Sequence, residues 1–198
     1  KATQIASLTN TQIAGLDATD MGELSATQVA ALTATQIGGL SNGAASALDA
    51  DQVAALNATQ VKAFTATQIA RLTTEAFAAF DTTTAASLTV TQIKALTSTQ
   101  IDAMEAADLA ELAATQIAAM STTQVRAINT TNFASLTETQ VAAFSATQLQ
   151  AATNAQIAAL TDTQVAAMST TQIGGLTATQ IGALDAADLA ELTTTQIG

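Results

Sequence analysis

The sequence predicts an all-α fold, a solenoid of very short capped helices with one helix per eight-residue repeat, and three observations carry the prediction. From Lys1 the 198 residues divide into 24 complete octads and a six-residue remainder, with no insertion or deletion. Self-similarity at a fixed period is the mark of a repeat architecture. Nearly every octad opens on a hydroxyl or Asx residue followed three places later by Gln, the pattern of a helix capping box. Nearly every octad also carries two large apolar residues three places apart, which share one face of a helical turn.

Typical units are Thr9-Asn10-Thr11-Gln12-Ile13-Ala14-Gly15-Leu16, Ser25 to Leu32 (SATQVAAL) and Thr177 to Leu184 (TATQIGAL). Numbering the positions p1 to p8, p1 is Thr, Ser, Asp or Asn except at Lys1, Glu105 and Ala113. Position p4 is Gln, replaced by Asp20, Asp108, Asp188, Asn132, Ala44, Ala76 and Thr84. Position p5 is a large apolar residue except at Ala45 and Ala85, and p8 is Leu, Met, Phe or Ile except at Ala152. The p1 side chain accepts from the amide three residues on, and the p4 Gln reaches back to the p1 amide. Ala at p6 and p7 favours helix behind that start.

One continuous helix is disfavoured. Eight residues advance about 800° at roughly 100° each, so the apolar pair drifts about 80° per octad and no fixed stripe forms. Thr and Ser compete locally for backbone hydrogen bonds and argue for a break at each p1. The pairs Gly38-Gly39 and Gly174-Gly175, near unit ends, fit glycine C-caps. The alternative is a β-solenoid, since Thr at p1 and p3 and Ile at p5 alternate as a strand would. Ala at p6 and p7 and the lack of turn residues weigh against it.

A helix of one to two turns is unstable alone, so its stability must come from neighbours. If successive helices turn through similar angles, p5 and p8 point to a common axis and p1 to p3 line the outside. Small residues at p6 and p7 let helices approach closely. The octad count per superhelical turn is not fixed by the period. Lys62, Lys94 and Arg126, all at p6 and spaced four octads apart, suggest four. The whole of residues 1–198 reads as a single continuous array, expected to be part of a longer one.

Composition limits the chemistry. Hydrophobic residues make up 48% of the chain, enough to bury a core. With no Cys and no His, thiolate metal sites and the commonest general base are missing. Sixteen acidic against five basic residues give a net charge of −11, which repels nucleic acid and anionic membrane surfaces. No apolar run approaches the ~18 residues of a membrane span.

The candidate site residues are carboxylates. Three octads place them at p1, p4 and p7: Asp17, Asp20 and Glu23; Glu105, Asp108 and Glu111; Asp185, Asp188 and Glu191. A spacing of three gathers oxygens near one helix face, and a hard cation such as Ca²⁺ takes several. The favoured reading is solvated charge and capping at helix starts, where negative charge is stabilised, so no metal and no cofactor are expected. Ser and Thr are plentiful but have no paired base, so no catalytic residue and no enzyme are expected. Phe64, Phe77, Phe80, Phe133 and Phe144 occur only at p5 or p8 and read as core fillers rather than a ligand cage.

Units such as Thr65-Ala66-Thr67-Gln68-Ile69 with Leu72 resemble the octapeptide arrays of long, low-complexity bacterial proteins of the surface or secreted, adhesin-like type. The resemblance runs the length of the chain. It implies a structural element, such as an extender rod or filament subunit, located at the cell surface or secreted, with no catalytic residues to carry over. The expected partner is a further copy, associating end to end or side by side; a small-molecule ligand, nucleic acid and membrane insertion are not expected. The alternative function is a binding surface for ice, glycan or mineral made of the Thr rows at p1 and p3. Variation at p2 argues against strict lattice matching there.

Overall fold

The computed structural model describes residues 1–192, apart from the Glu191 side chain. Its secondary structure among these residues is helical throughout, with one helix of four to six residues in each octad. The β-solenoid alternative is thereby set aside. By compactness the chain forms two units, Lys1–Ala103 and the residues from Met104 on. The boundary falls inside the octad 97–104, and the eight-residue register of the sequence continues through it.

In the first unit the helices are α1 (Ala2–Ala6), α2 (Asn10–Ala14), α3 (Ala18–Gly22), α4 (Ala26–Ala30), α5 (Ala34–Gly39), α6 (Asn42–Ser46), α7 (Ala50–Ala54), α8 (Ala58–Ala63), α9 (Ala66–Arg71), α10 (Thr74–Ala78), α11 (Thr82–Ala86), α12 (Val90–Ala95) and α13 (Ser98–Asp102). In the second they are α14 (Ala106–Glu111), α15 (Ala114–Ala118), α16 (Thr122–Ala127), α17 (Thr130–Ala134), α18 (Glu138–Ala143), α19 (Ala146–Ala151), α20 (Asn154–Ala158), α21 (Asp162–Ala166), α22 (Thr170–Gly175), α23 (Ala178–Ile181) and α24 (Ala186–Glu191).

Each helix starts where the capping pattern places it. Thr65 is typical, extended at φ −68° and ψ 157°, with its hydroxyl oxygen accepting from the Gln68 amide at 3.2 Å. Its own N–H donates to Gln68 Oε1 at 2.7 Å. Two orphan donors of the first turn are satisfied at once. Ala113 shows which half is dispensable: α15 forms with the Gln116 half alone, the Ala113 N–H donating to Gln116 Oε1 at 2.5 Å.

Helix ends differ from the glycine-cap expectation. No described residue, glycine or other, has a positive φ. The p8 amide instead donates to the p5 carbonyl, as Leu72 does to Ile69 at 3.2 Å, and p8 then turns into extended backbone, φ −58° and ψ 139° at Leu72. A tight 3₁₀-type bond closes the turn, so no left-handed residue is needed. Gly38-Gly39 and Gly174-Gly175 lie inside α5 and α22. Their role is spacing. A Cβ on Gly38 would stand 2.8 Å from the Ala63 carbonyl oxygen of α8, and one on Gly175 2.7 Å from the Ala146 Cβ of α19.

Within each unit a helix packs on the helix three octads away. The first unit has α5 on α8, α6 on α9 and α9 on α12; the second has α15 on α18, α16 on α19 and α19 on α22. Each unit is therefore a helical solenoid with three octads to the coil. The four-octad spacing suggested by the basic residues is corrected by this register. Lys62 on α8 and Lys94 on α12 fall in different columns, since α8 stacks on α5 while α12 stacks on α9. Their placement has a local cause: Lys62, Arg71, Lys94 and Arg126 stand in the last turn of their helices, where the peptide dipoles favour cations.

Burial follows the octad. Positions p5 and p8 form the apolar core, with Ile37, Val61, Ile69, Ile93, Val125 and Val141 fully buried. All five Phe residues are in it, Phe77 edge-on to Phe80 at 5.6 Å and Phe133 stacked on Phe144 at 5.8 Å. They are core fillers, as the sequence indicates. Ala45, Ala85 and Ala152 are buried too.

Candidate functional site

The most ordered chemistry in the molecule is a ladder of p4 glutamines. Gln36, Gln52, Gln60, Gln68, Gln92 and Gln100 of the first unit are all at most 3% exposed. Each places its Oε1 on its own p1 amide, and its Nε2 on carbonyls of the preceding coil. Gln92 Nε2 donates to the Val61 oxygen at 2.9 Å and the Phe64 oxygen at 2.8 Å; Gln100 Nε2 donates to Ile69 and Leu72 at 2.8 and 3.1 Å. The second unit repeats the geometry, with Gln156 bonding Val125 and Ile128 at 2.9 and 2.6 Å. One acceptor is the p8 oxygen of an earlier octad; the other is that octad's p5 oxygen, as for Gln52 and Gln92, or its p6 oxygen, as for Gln36 and Gln60.

This arrangement answers a need set by helix length. The last four carbonyls of any helix lack intrahelical donors, and in a helix this short that is most of them. Buried without a partner, each such oxygen is costly. The amide serves two helices at once, capping its own and fastening it to the coil before. Gln12, in α2, is exposed.

The exceptions at p4 obey the same logic. Where Ala44 stands, the Ser41 hydroxyl donates to the Leu16 carbonyl at 3.2 Å, the p8 oxygen that a p4 amide in this octad would take. Asn132 still reaches its p8 acceptor, Met104, at 2.5 Å. Sequence reasoning assigned p4 to capping alone and missed its burial. A signal was present: Glu serves a capping box as well as Gln, yet no octad carries Glu at p4. Apart from the three Asp octads, the column holds side-chain amides, the small Ala44 and Ala76, or Thr84, whose hydroxyl donates back to Asp81.

Those Asp octads hold the candidate metal ligands, and their oxygens are engaged with backbone. Asp17 Oδ1 accepts from Thr19 and Asp20 amides at 2.8 and 2.9 Å, and Asp20 Oδ2 accepts from the Asp17 amide at 3.0 Å. Glu23 and Glu111 are exposed; Glu105 makes no side-chain cap, while its N–H donates to Asp108 Oδ2 at 3.2 Å. Asp185 Oδ1 accepts from Ala187 and Asp188 at 2.7 and 2.9 Å. The Glu191 side chain lies outside the described residues.

Among the described residues, oxygens of Asp162, Asp185 and Asp188 lie within 4.8 Å of one another. This grouping was not foreseen, because Asp162 comes from α21, one coil away. Asp188 is 3% exposed and its Oδ2 accepts the Asp185 amide at 3.0 Å. Burial first, then the Asp185 and Asp162 charges, push its carboxyl above the usual range, against the Asp185 amide, which lowers it. Three carboxylates, two of them already accepting amides, fall short of the six to eight oxygens that Ca²⁺ gathers. Asp81, the cap of α11, is the opposite case: hydrogen bonds from the Thr84 amide and hydroxyl hold it below the usual range.

The p1 and p3 residues form the outer surface, with p1 hydroxyls used as caps and p3 hydroxyls free to pair locally, as Thr161 and Thr163 do at 3.1 Å. Between stacked α18 and α21 an open depression of about 350 Å³ is lined by Thr137, Thr139, Thr161 and Thr163. A similar one of about 450 Å³ lies between α5 and α8, against Thr33, Asn57 and Thr59. No described helix is long and apolar enough to cross a membrane.

Fold and ladder together define a repeat protein of the helical solenoid class. Within it, residues 101–138 match the family model described as the ALTTAQ repeat. The match covers less than a fifth of the chain, and four of its six letters fit the array from p7 to p4, as in Ala31-Leu32-Thr33-Ala34-Thr35-Gln36, where the fourth and fifth letters are interchanged. Comparison with curated proteins gives no match.

Proposed function

We propose that this repeat protein is a non-enzymatic structural scaffold whose product is length: an extender rod or filament subunit acting at the cell surface or outside the cell. One observation supports it above the others, the recurrence of the same p4-amide to p8-carbonyl bond in successive coils of each unit. Energetics of that kind are one-dimensional, a sum of unit and nearest-neighbour terms, and tolerate any number of coils. The test is to lengthen the array in steps of three octads and follow the maximum dimension by small-angle X-ray scattering. The expected gain is constant, about 8–10 Å per coil, the usual spacing of packed helices. A dimension that fails to grow with coil number would overturn the reading.

Association end to end belongs to the same proposal. Gln12 in α2 has its p4 side chain exposed, and Leu189 in α24 has its p5 side chain 42% exposed. Further octads or another copy would cover such groups, and heterologous contacts of that kind propagate when the rotation does not close. Sedimentation at rising concentration distinguishes association from a fixed monomer. The Thr-lined depressions between coils favour a second reading, a hydroxyl surface that binds glycan, ice or mineral, and ice-recrystallisation and glycan-array assays test it directly.

A further inference from the structure

In a stacked coil the p4 amide has a task that a carboxylate cannot perform. Asp188 occupies this position in α24, which packs on α21. It keeps the acceptor half of the task, taking the Asp185 N–H at 3.0 Å. The donor half is another matter. In this register a p4 amide donates to the p8 oxygen of the fourth octad before its own, a position held here by Leu160, and an ionised carboxyl has no proton to give. Its surroundings sharpen the conflict: the side chain is buried, and the titratable groups facing it are the carboxylates of Asp162 from α21 and Asp185 from its own octad. The second unit's one basic residue, Arg126, stands on α16, which stacks with α19 and α22 rather than with α21 and α24.

We propose that Asp188 makes the α21–α24 joint proton-dependent, closed when its carboxyl is protonated and loosened when it ionises. Protonation supplies an O–H that the facing Asp162 carboxylate of α21 can accept, and removes one of three clustered negative charges in the same step. The other acidic p4 residues are built differently: Asp20 stands exposed in the first coil, and Asp108 is only half-buried. The raised carboxyl of Asp188 accords with this. Its sign follows. A group whose folded-state value lies above its unfolded one adds stability that is complete below the unfolded value, near 3.8, and is lost as pH rises through the folded value. The joint is a property of one coil and stands or falls independently of the scaffold reading.

The experiment is amide hydrogen exchange on the whole chain across pH 3 to 7, corrected for intrinsic rates and read at the amides of α24, with α9 and α12 as internal reference. The expected result is a loss of α24 protection of roughly tenfold on going to neutral pH, the factor carried by one net hydrogen bond, with no matching change in α9 or α12. Asp188→Gln restores the donor and should hold α24 protected at both pH values. Asp162→Asn, which removes a facing charge and keeps the titrating carboxyl, should shift the transition to lower pH without abolishing it. Protection of α24 that is flat with pH in the natural chain, or a transition that survives in Asp188→Gln, would overturn the proposal.

Discussion

The Gln140 side-chain amide donates to the Leu112 carbonyl at 2.8 Å while its oxygen accepts the Thr137 N–H at 2.8 Å, so one side chain ends one helix and begins another. Gln140 also bonds the Leu109 oxygen at 2.7 Å and is 3% exposed. Substituting Gln140→Met keeps the volume near constant and removes every polar atom, so the Thr137 N–H and the Leu112 oxygen lose this partner, while the Leu109 oxygen keeps the Leu112 N–H. We expect a loss of about 3 kcal/mol, since each unpaired buried group costs about 1–3 kcal/mol. Gln12→Met, at an exposed position with only the Thr9 amide and hydroxyl to lose, should cost under about 1 kcal/mol. Denaturant titration of the two variants checks the order.

Caps can be both removed and added. Thr137 accepts the Gln140 amide at 3.2 Å through its hydroxyl, whereas the exposed Thr139 has no cap role, so Thr137→Ala should cost about 1 kcal/mol and Thr139→Ala almost nothing. Ala113 supplies the reverse test. It is an exposed N-cap with only half of the capping box, and Ala113→Thr should raise stability by about 1 kcal/mol. Thermal melts in which Thr139→Ala proves the more damaging change would remove the capping account.

Helix starts were legible in the sequence because the capping box acts over three residues, a range that the octad displays directly. The core at p5 and p8 was legible for the same reason, as was the role of the five Phe residues. The coil number was not. It is set by bonds between residues several octads apart, from Gln68 to Leu40 for example, and an eight-residue period is equally compatible with three or four units per turn. The basic residues pointed to four because their p6 position answers to their own helix ends and not to the stack. Glycine pairs misled in a similar way: Gly38 looks like a terminator in one dimension and is a contact point with α8 in three. The acidic trios Asp17, Asp20, Glu23 and Asp185, Asp188, Glu191 were visible as patterns, but the grouping of Asp162 with Asp185 and Asp188 depends on the stacking of α21 and α24.

The cap of α11 should respond to acid in the usual carboxylate direction. Asp81 is held below its ordinary value of 3.8 by the Thr84 amide and hydroxyl. A depressed folded-state value gives stability that is present above 3.8 and lost as pH falls through that lower value. Asn caps a helix as well as Asp but does not titrate. The stability difference between the natural chain and Asp81→Asn should therefore be steady from pH 7 to 5 and turn against the natural chain below that, as paired pH-dependent melts would show. A difference that is constant down to pH 2 contradicts the hydrogen-bond assignment.

Neighbouring glycines should respond oppositely to the same substitution. In an exposed helical position Gly→Ala gains about 0.5–1 kcal/mol, because the unfolded chain loses freedom and the helix gains a better former. Gly39 and Gly174 meet this condition, since a Cβ at either has nothing within 4 Å. Gly38 and Gly175 do not. A Cβ at Gly38 would press on backbone, the Ala63 oxygen at 2.8 Å, and backbone cannot step aside as a flexible side chain can. At Gly175 the obstacle is the Ala146 Cβ at 2.7 Å, equally fixed to its helix. Overpacking of this kind costs about 1–3 kcal/mol, which exceeds the propensity gain. We therefore expect Gly39→Ala and Gly174→Ala to raise the melting temperature, and Gly38→Ala and Gly175→Ala to lower it by prising α5 from α8 and α22 from α19. Stabilisation by all four would mean that the coils do not approach as closely as the three-octad register requires.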